Sequence, residues 1–231
     1  MNPSFSSFLV NDVFGDPGLF VEVRWSKRAL LFDLGHNDAL GPTRLLRASE
    51  IFISHTHMDH FIGFDRVLRL FLNRERTLRL FGPAGITDCV AGKLSGYVWN
   101  LTDGYPFAMD VTEITAEAAS RTLFRASTGF RREPLPEAGL PQAKASDRDP
   151  GGILLVDEGH FRVATAITNH KIPCLAFAID EPTHLNIDPE RLATGGFAPG
   201  RWLAELKNLL RSRAPDETVL QASTVDRETR A

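Results

Sequence analysis

The pattern of apolar and polar positions in the N-terminal part of the chain predicts short strands followed by helices. Apolar runs at 19–25 (LFVEVRW) and 29–35 (ALLFDLG) flank the turn-like SKR and predict a hairpin. The run at 50–54 (EIFIS) is almost wholly apolar, which is typical of a strand buried on both faces. Apolar residues then recur at helical spacing in 64–74 (FDRVLRLFLNR). The predicted order is therefore strand, histidine-rich loop, helix.

Strand-like and helix-like segments continue to alternate along the chain, which predicts an α/β protein. Residues 77–82 (TLRLFG) predict a strand, and Pro83 after them suits the start of a helix. Further strands are predicted around 107–114 and 121–128, then a polar loop at 132–152 that is rich in proline and glycine. The pattern of the C-terminal part predicts strands broken by turns within 153–181, an amphipathic helix within 199–213, and a polar tail at 211–231.

Composition narrows the class of protein. The chain has 231 residues, is 43% hydrophobic and carries a formal net charge of -3, so no global basic field indicates a polyanionic ligand. It contains no run of about 18 apolar residues, and its start lacks a basic region before an apolar core, so we expect a cytoplasmic protein with no membrane contact. Cys89 and Cys174 lie far apart and predict small buried positions instead of a disulfide or a zinc thiolate site.

The stretch FISHTHMDHFIG at 52–63 places three histidines and an aspartate within six positions. A polar loop in which Asp59 caps the next helix would explain only one of these four side chains. Residues two apart on an extended loop point to the same side, so His55, His57 and Asp59 can converge, with His60 beside them. Imidazole and carboxylate together suit zinc, or less often iron or manganese, in a hydrolytic site. Since all four cannot reach one ion with good geometry, the loop predicts two ions about 3.5–4 Å apart.

These residues carry a resemblance to a known family. SHTHMDH resembles the HxHxDH signature of the metallo-β-lactamase superfamily, and FDLG at 32–35 is similar to the strand end that precedes it there. LFGPAGI at 80–86 and NHKIPCLAFAIDEPTHLNID at 169–188 resemble stretches of the ribonuclease Z branch. The resemblance implies an αββα sandwich that this chain fills only in part, over a domain at 1–210.

The resemblance also implies roles for individual residues. It assigns one zinc ion to His55, His57 and His170, and a second to Asp59 and His60. Asp59 would also be the catalytic proton acceptor or shuttle while a metal-activated hydroxide attacks the 3′ end of a precursor tRNA. Asp33 would orient the loop through hydrogen bonds, or would simply be a turn residue at a strand end. A homodimer is the oligomer that the resemblance suggests.

Two of the seven expected metal ligands are not identifiable in the sequence. No histidine follows His184, and the later aspartates lie in polar surroundings. Met58 stands where the branch usually has glycine, and Gly200 is followed by Arg201 instead of proline, which favours a divergent relative. We therefore expect a truncated form of a longer enzyme. The alternatives are another hydrolase of the same fold acting on a small phosphodiester, thioester or lactone, and an inactive metal-binding fragment.

Overall fold

The computed structural model describes residues 4–24, 26–136, 152–158, 160–181, 186–211, 215 and 217–224. The chain divides into two compact units, one of residues 1–158 with 162–180 and one of residues 159–161 with 181–231. The predicted domain of 1–210 with a tail of 211–231 stays a prediction. Within the described residues, no helix is both long and apolar enough to cross a bilayer.

The first unit contains a mixed sheet of eight strands in sequence order. Its inner strands β3 to β6 are parallel, and its outer strands pair antiparallel. The strands are β1 (Phe5–Leu9), β2 (Leu19–Val23), β3 (Arg28–Phe32), β4 (Ala48–Phe52), β5 (Thr77–Pro83), β6 (Ala108–Ile114), β7 (Ala119–Arg125) and β8 (Arg132–Leu135). The helices between them are α1 (Pro42–Leu45), α2 (Met58–Phe61), α3 (Phe64–Phe71) and α4 (Ile86–Ser95), and a 3₁₀ helix spans Ala126–Thr128. This mixed α/β arrangement confirms the predicted α/β class.

The helices cover one face of the large sheet. Apolar positions of α3 and α4 recur every three or four residues, so each helix buries one side. Phe64, Phe71 and Val90 are fully buried there and pack with alternate strand residues such as Ile51 and Leu80. This packing fixes the carboxyl ends of the parallel strands, where the loops between strand and helix emerge.

A second sheet of three antiparallel strands covers the opposite face. It consists of β9 (Ile153–Asp157), β10 (Arg162–Asn169) and β11 (Pro173–Asp180), with β10 in the middle. The ring of Phe177 lies 5.6 Å from Phe32 and 5.5 Å from Phe52, measured between centroids. Helices, large sheet and small sheet thus form three layers in the described part of this unit.

A buried charge also connects the two sheets. Glu50 is only 2% exposed and accepts hydrogen bonds from the guanidinium of Arg28 on the neighbouring strand. Arg28 donates in turn to Glu158, 3.1 Å away at the end of β9. Burying a carboxylate without partners raises the free energy of the folded state. These ion pairs therefore favour the position in which the small sheet brings Glu158 to Arg28.

The second unit contains α5 (Pro189–Thr194) and α6 (Trp202–Arg211), the helix that the sequence predicted. Asp188 caps α5 by accepting from the backbone of Glu190. Phe197 forms an isolated antiparallel bridge with Thr224. Ser223 and Thr224 of the predicted polar tail therefore pair with the segment before α6.

Two predicted boundaries are wrong. Pro83 does not open a helix, because β5 continues through it and α4 begins only at Ile86, after Gly85 in a left-handed conformation with φ +88°. The start of the predicted loop at 132–152 forms strand β8, which pairs antiparallel with β7. Residues 137–151 of that loop lie outside the described residues.

Candidate metal centre

The histidine loop, residues 54–63, follows β4 at the carboxyl ends of the parallel strands. That edge is where open α/β sheets place their ligand sites. The loop is anchored on the buried Leu34, whose N–H donates to His60 O and whose carbonyl accepts from Gly63 N, both at 2.8 Å. Its backbone is therefore held by the buried segment that follows β3.

His55 is the most buried histidine of the loop, with 6% of its surface exposed. Its Nε2 lies 3.1 Å from Nδ1 of His57, and its Nδ1 lies 3.0 Å from the hydroxyl of Ser54. Burial, followed by the positive charges that His60 and His57 can carry, lowers the pKa of His55 below its ordinary value. The ring is thus held in the neutral form that binds metals.

Three histidines converge at this point. Ligand atoms of His55, His57 and His170 all lie within 4.8 Å of one another, the first ring buried and the other two exposed. In the described part of the chain this is the single group of three or more potential ligands that close together. Zinc takes histidine nitrogens at about 2.0–2.1 Å and leaves a fourth position for water or substrate in catalytic sites. The donor set fits such an ion.

His170 reaches the cluster from the turn between β10 and β11. The turn is closed by a hydrogen bond from His170 N to Ile172 O, at 3.1 Å, and by one from Lys171 N to the side chain of Asn169, at 2.8 Å. Lys171 is left-handed, with φ +63°, a conformation that costs a non-glycine residue about 1–2 kcal/mol. This tight turn brings the ring of His170 to 5.2 Å from that of His55.

Asp59 and His60 form a pair beside the cluster. Oδ2 of Asp59 lies 3.6 Å from Nε2 of His60, and the side chain of Asp59 is 54% exposed. The ring of His60 lies 3.9 Å from that of His55. Helix α2 begins at Met58 without a side-chain capping bond, so the capping role that was considered for Asp59 is not observed. The carboxylate is free to face a ligand.

Asp33 joins the end of β3 to the loop. Its two carboxylate oxygens accept from the backbone and the hydroxyl of Ser54, at 2.7 and 2.8 Å, and Oδ2 lies 2.9 Å from Nδ1 of His60. Asp33 is left-handed, with φ +59°, although it is not a glycine. A non-glycine residue held in this region at a site indicates that the side chain is needed there.

Of the remaining histidines, the two that lie in the described part of the chain do not join the cluster. His36 is on the surface, with its Nε2 3.2 Å from Asp38. His160 stacks edge-on against Phe161 in the second unit. His184 lies outside the described residues.

Sequence reasoning did not single out two side chains that touch the site, Ser54 and Cys174. The sulfur of Cys174 lies 3.8 Å from Nδ1 of His55, and both cysteines are free and half-buried instead of buried. A hydroxyl directly before the motif was a usable signal for Ser54. Cys174 gave none, because its approach depends on how the small sheet docks.

Similar proteins are found by sequence. No family profile matches the chain. The chain is 31% identical over 181 residues to ribonuclease Z of Deinococcus radiodurans, covering 77% of this chain and 52% of that protein. It is 30% identical over 199 residues to ribonuclease Z of Lactobacillus acidophilus, covering 82% and 51%. It is 25% identical to zinc phosphodiesterase ELAC protein 1 of Bos taurus, covering 70% and 46%.

Two solved structures are also similar. One is human tRNase Z, short form, with a TM-score of 0.46, 22% identity and coverage of 77% of this chain and 63% of that one. The other is the metallo-β-lactamase fold protein YhfI from Bacillus subtilis, with a TM-score of 0.44, 13% identity and coverage of 79% and 60%.

The relatives confirm the predicted resemblance to ribonuclease Z. The chain spans about half the length of the curated relatives it matches. The assignment of His55, His57, Asp59, His60 and His170 as ligands stays a prediction, which the geometry makes specific: three imidazoles form one group and the remaining pair stands beside it.

Proposed function

From the premise that the chain resembles ribonuclease Z, we propose that it is a zinc-dependent hydrolase of phosphodiester bonds, with precursor tRNA as substrate. The observation that carries the proposal is the convergence of His55, His57 and His170 within 4.8 Å at the carboxyl edge of the sheet. The sequence similarity to ribonuclease Z supports the choice of reaction.

His55, His57 and His170 would hold one zinc ion, and Asp59 with His60 would hold the second. Zinc at such a site supplies a nucleophile from water at neutral pH and polarises a phosphoryl oxygen. The donor set supports this choice, because it contains imidazole and carboxylate and no thiolate ligand is required.

The protein's own contribution is orientation and proton transfer. The exposed carboxylate of Asp59 would take the proton of the attacking water, since it is accessible to solvent and is not used in capping. His60, fixed by Asp33 at 2.9 Å, would present its Nε2 on the side of Asp59, where the second ion would bind both side chains. The buried neutral ring of His55 would anchor the site.

The test is metal content and cleavage measured together. We would determine zinc by mass spectrometry, then assay a 3′-extended tRNA beside bis-p-nitrophenyl phosphate, for the wild type, His57→Ala and His36→Ala. His36→Ala is the matched control because it removes an exposed histidine outside the cluster. We expect His57→Ala to lose zinc and cleavage, and His36→Ala to keep both.

Other outcomes separate the alternatives. Cleavage of the small ester without cleavage of tRNA would point to a hydrolase for a small phosphodiester, thioester or lactone, which the net charge of -3 suits better than a polyanion. Full zinc loading without either activity would indicate a metal-binding fragment. Retention of zinc in His57→Ala would show that the ligand assignment is wrong.

We further propose a homodimer, which the resemblance suggests, and a cytoplasmic location, which the hydrophobic pattern of the chain led us to expect. Analytical ultracentrifugation over a range of protein concentrations tests the first. A monomer at all concentrations would contradict it. Fractionation of cells that express the tagged chain tests the second.

A further inference from the structure

The hydroxyl of Ser54 lies at the junction of three polar side chains behind the cluster. Its Oγ is 2.8 Å from Oδ2 of Asp33, 3.0 Å from Nδ1 of His55 and 3.1 Å from Nδ1 of His60. Ser54 is half-buried and lies two residues after β4, and its carbonyl accepts from Leu175 N at 2.8 Å, so the two sheets fix its position. The hydroxyl is therefore within hydrogen-bonding distance of the rings of His55 and His60.

The charge of Asp33 selects one arrangement of protons at this junction. An aspartate carboxylate only accepts, and Asp33 already accepts from the backbone N–H of Ser54 at 2.7 Å. The single hydroxyl proton of Ser54 goes to Oδ2 of Asp33, because a bond to a charged acceptor is about twice as strong as a neutral one. The hydroxyl can then only accept from His55, whose Nδ1 must carry a hydrogen.

We propose that Ser54 is a positioning residue that sets the tautomer of His55. With hydrogen on Nδ1, the lone pair of His55 is on Nε2, the atom that lies 3.1 Å from His57 within the cluster. The inference rests on the proposed function in one respect, that the cluster holds zinc. The same junction orients His60, whose Nδ1 donates to Asp33 and leaves Nε2 toward Asp59.

A second group could compete for the same nitrogen. The sulfur of Cys174 lies 3.8 Å from Nδ1 of His55. A thiol that donated to this nitrogen would force the hydrogen onto Nε2 and turn the lone pair away from the cluster. A thiol is a weak donor, and the serine oxygen is closer, so the serine controls the ring. Cys174→Ala is therefore the matched control.

The experiment reads the tautomer directly in the metal-free protein. Long-range proton–nitrogen correlation spectra of ¹⁵N-histidine-labelled protein at pH 8 distinguish hydrogen on Nδ1 from hydrogen on Nε2. We expect Nδ1–H at His55 in the wild type, in Ser54→Thr, which keeps a hydroxyl, and in Cys174→Ala. Ser54→Ala should show a substantial Nε2–H population.

Zinc affinity gives the second readout, measured by competition with a chromophoric chelator. Ser54→Ala should raise the Kd for zinc about 10–100-fold, the usual cost of losing a partner behind a metal ligand. Ser54→Thr should restore the wild-type Kd. A purely structural role would change unfolding without moving the tautomer, which separates the two explanations.

Two results would overturn the proposal. One is Nε2–H at His55 in the wild-type protein, which decides the matter even if Ser54→Ala does not fold. The other is a folded Ser54→Ala protein with the wild-type tautomer and Kd. If the wild type binds no zinc at all, the proposed function fails, while the tautomer measured without metal still judges the role of Ser54.

Discussion

The histidine loop and the β10–β11 turn give the same kind of side chain to one cluster, but they are held in different ways. His55 is buried and tied to the sheet through Ser54 and Asp33. His170 is exposed, and its position depends on hydrogen bonds between neighbouring residues of its own turn. One half of the site therefore draws its geometry from the core, and the other half depends on the docking of a small sheet.

The largest effect should come from removing the aromatic contact between the sheets. Phe52 is fully buried and stacks on Phe81 at 5.1 Å, with Phe177 above it at 5.5 Å. Phe52→Ala should lower the free energy of unfolding by about 3–5 kcal/mol in urea denaturation. Phe14→Ala, at a side chain 96% exposed, should change it little. Equal losses in the two variants would show that the packing is not as described.

The next effect separates the two kinds of ligand. His55→Ala and His170→Ala should each raise the zinc Kd by about 100-fold or more, beyond the usual effect of losing an outer partner. Without metal, His170→Ala should change the free energy of unfolding by less than about 0.5 kcal/mol, because its ring is exposed. His55→Ala should cost clearly more, since its ring is buried. Equal unfolding free energies without metal would remove the contrast between loop and turn.

A smaller effect tests the anchoring of the histidine loop. A Cβ on Gly63 would overlap the carbonyl of Gly35 and the side-chain amide of Asn37, which donates to Gly63 O at 3.0 Å. Gly63→Ala should therefore cost about 1–3 kcal/mol in urea denaturation. Gly92→Ala, in α4 with nothing within 4 Å of its Cβ, should stabilise the protein by about 1 kcal/mol through helix propensity. Destabilisation by both would indicate a general intolerance of added methyl groups.

The smallest effect is on pH dependence. Burial lowers the pKa of His55 below its ordinary value of 6.5, so the folded protein takes up this proton less readily than the unfolded chain. The resulting stability is fully present above pH 6.5 and is lost as the pH falls through the lowered pKa. In metal-free protein, His55→Gln should reduce the fall in Tm over that window. A fall identical to that of the wild type would contradict the role of burial.

The elements around the motif were predictable because their patterns are local. The apolar run before the motif became β4, and the helical spacing after it became α3. Pro83 misled the prediction because it ends β5, beyond the residues that pair with β4, instead of opening a helix. Strand β1 was not predicted, since its sequence FSSFL has two adjacent serines in place of alternation.

The candidate site was predictable in its residue types and not in its arrangement. Spacing and resemblance together named His55, His57 and His170, and these three converge. The contact of Ser54 with two rings and the approach of Cys174 from β11 depend on tertiary structure, so periodicity could not show them. Pairing of residues more than a hundred positions apart is set by the docking of the sheets.

The position of His170 on the small sheet has a thermodynamic consequence. An ion bound by His55, His57 and His170 would bind only when the two sheets are docked, so it would act as a cross-link between layers. By mass action, free zinc at 100 times its Kd would favour the docked state by about 2.7 kcal/mol. The concentration of free zinc would then determine the fraction of molecules in which the two sheets are docked, in addition to supplying the metal for the reaction.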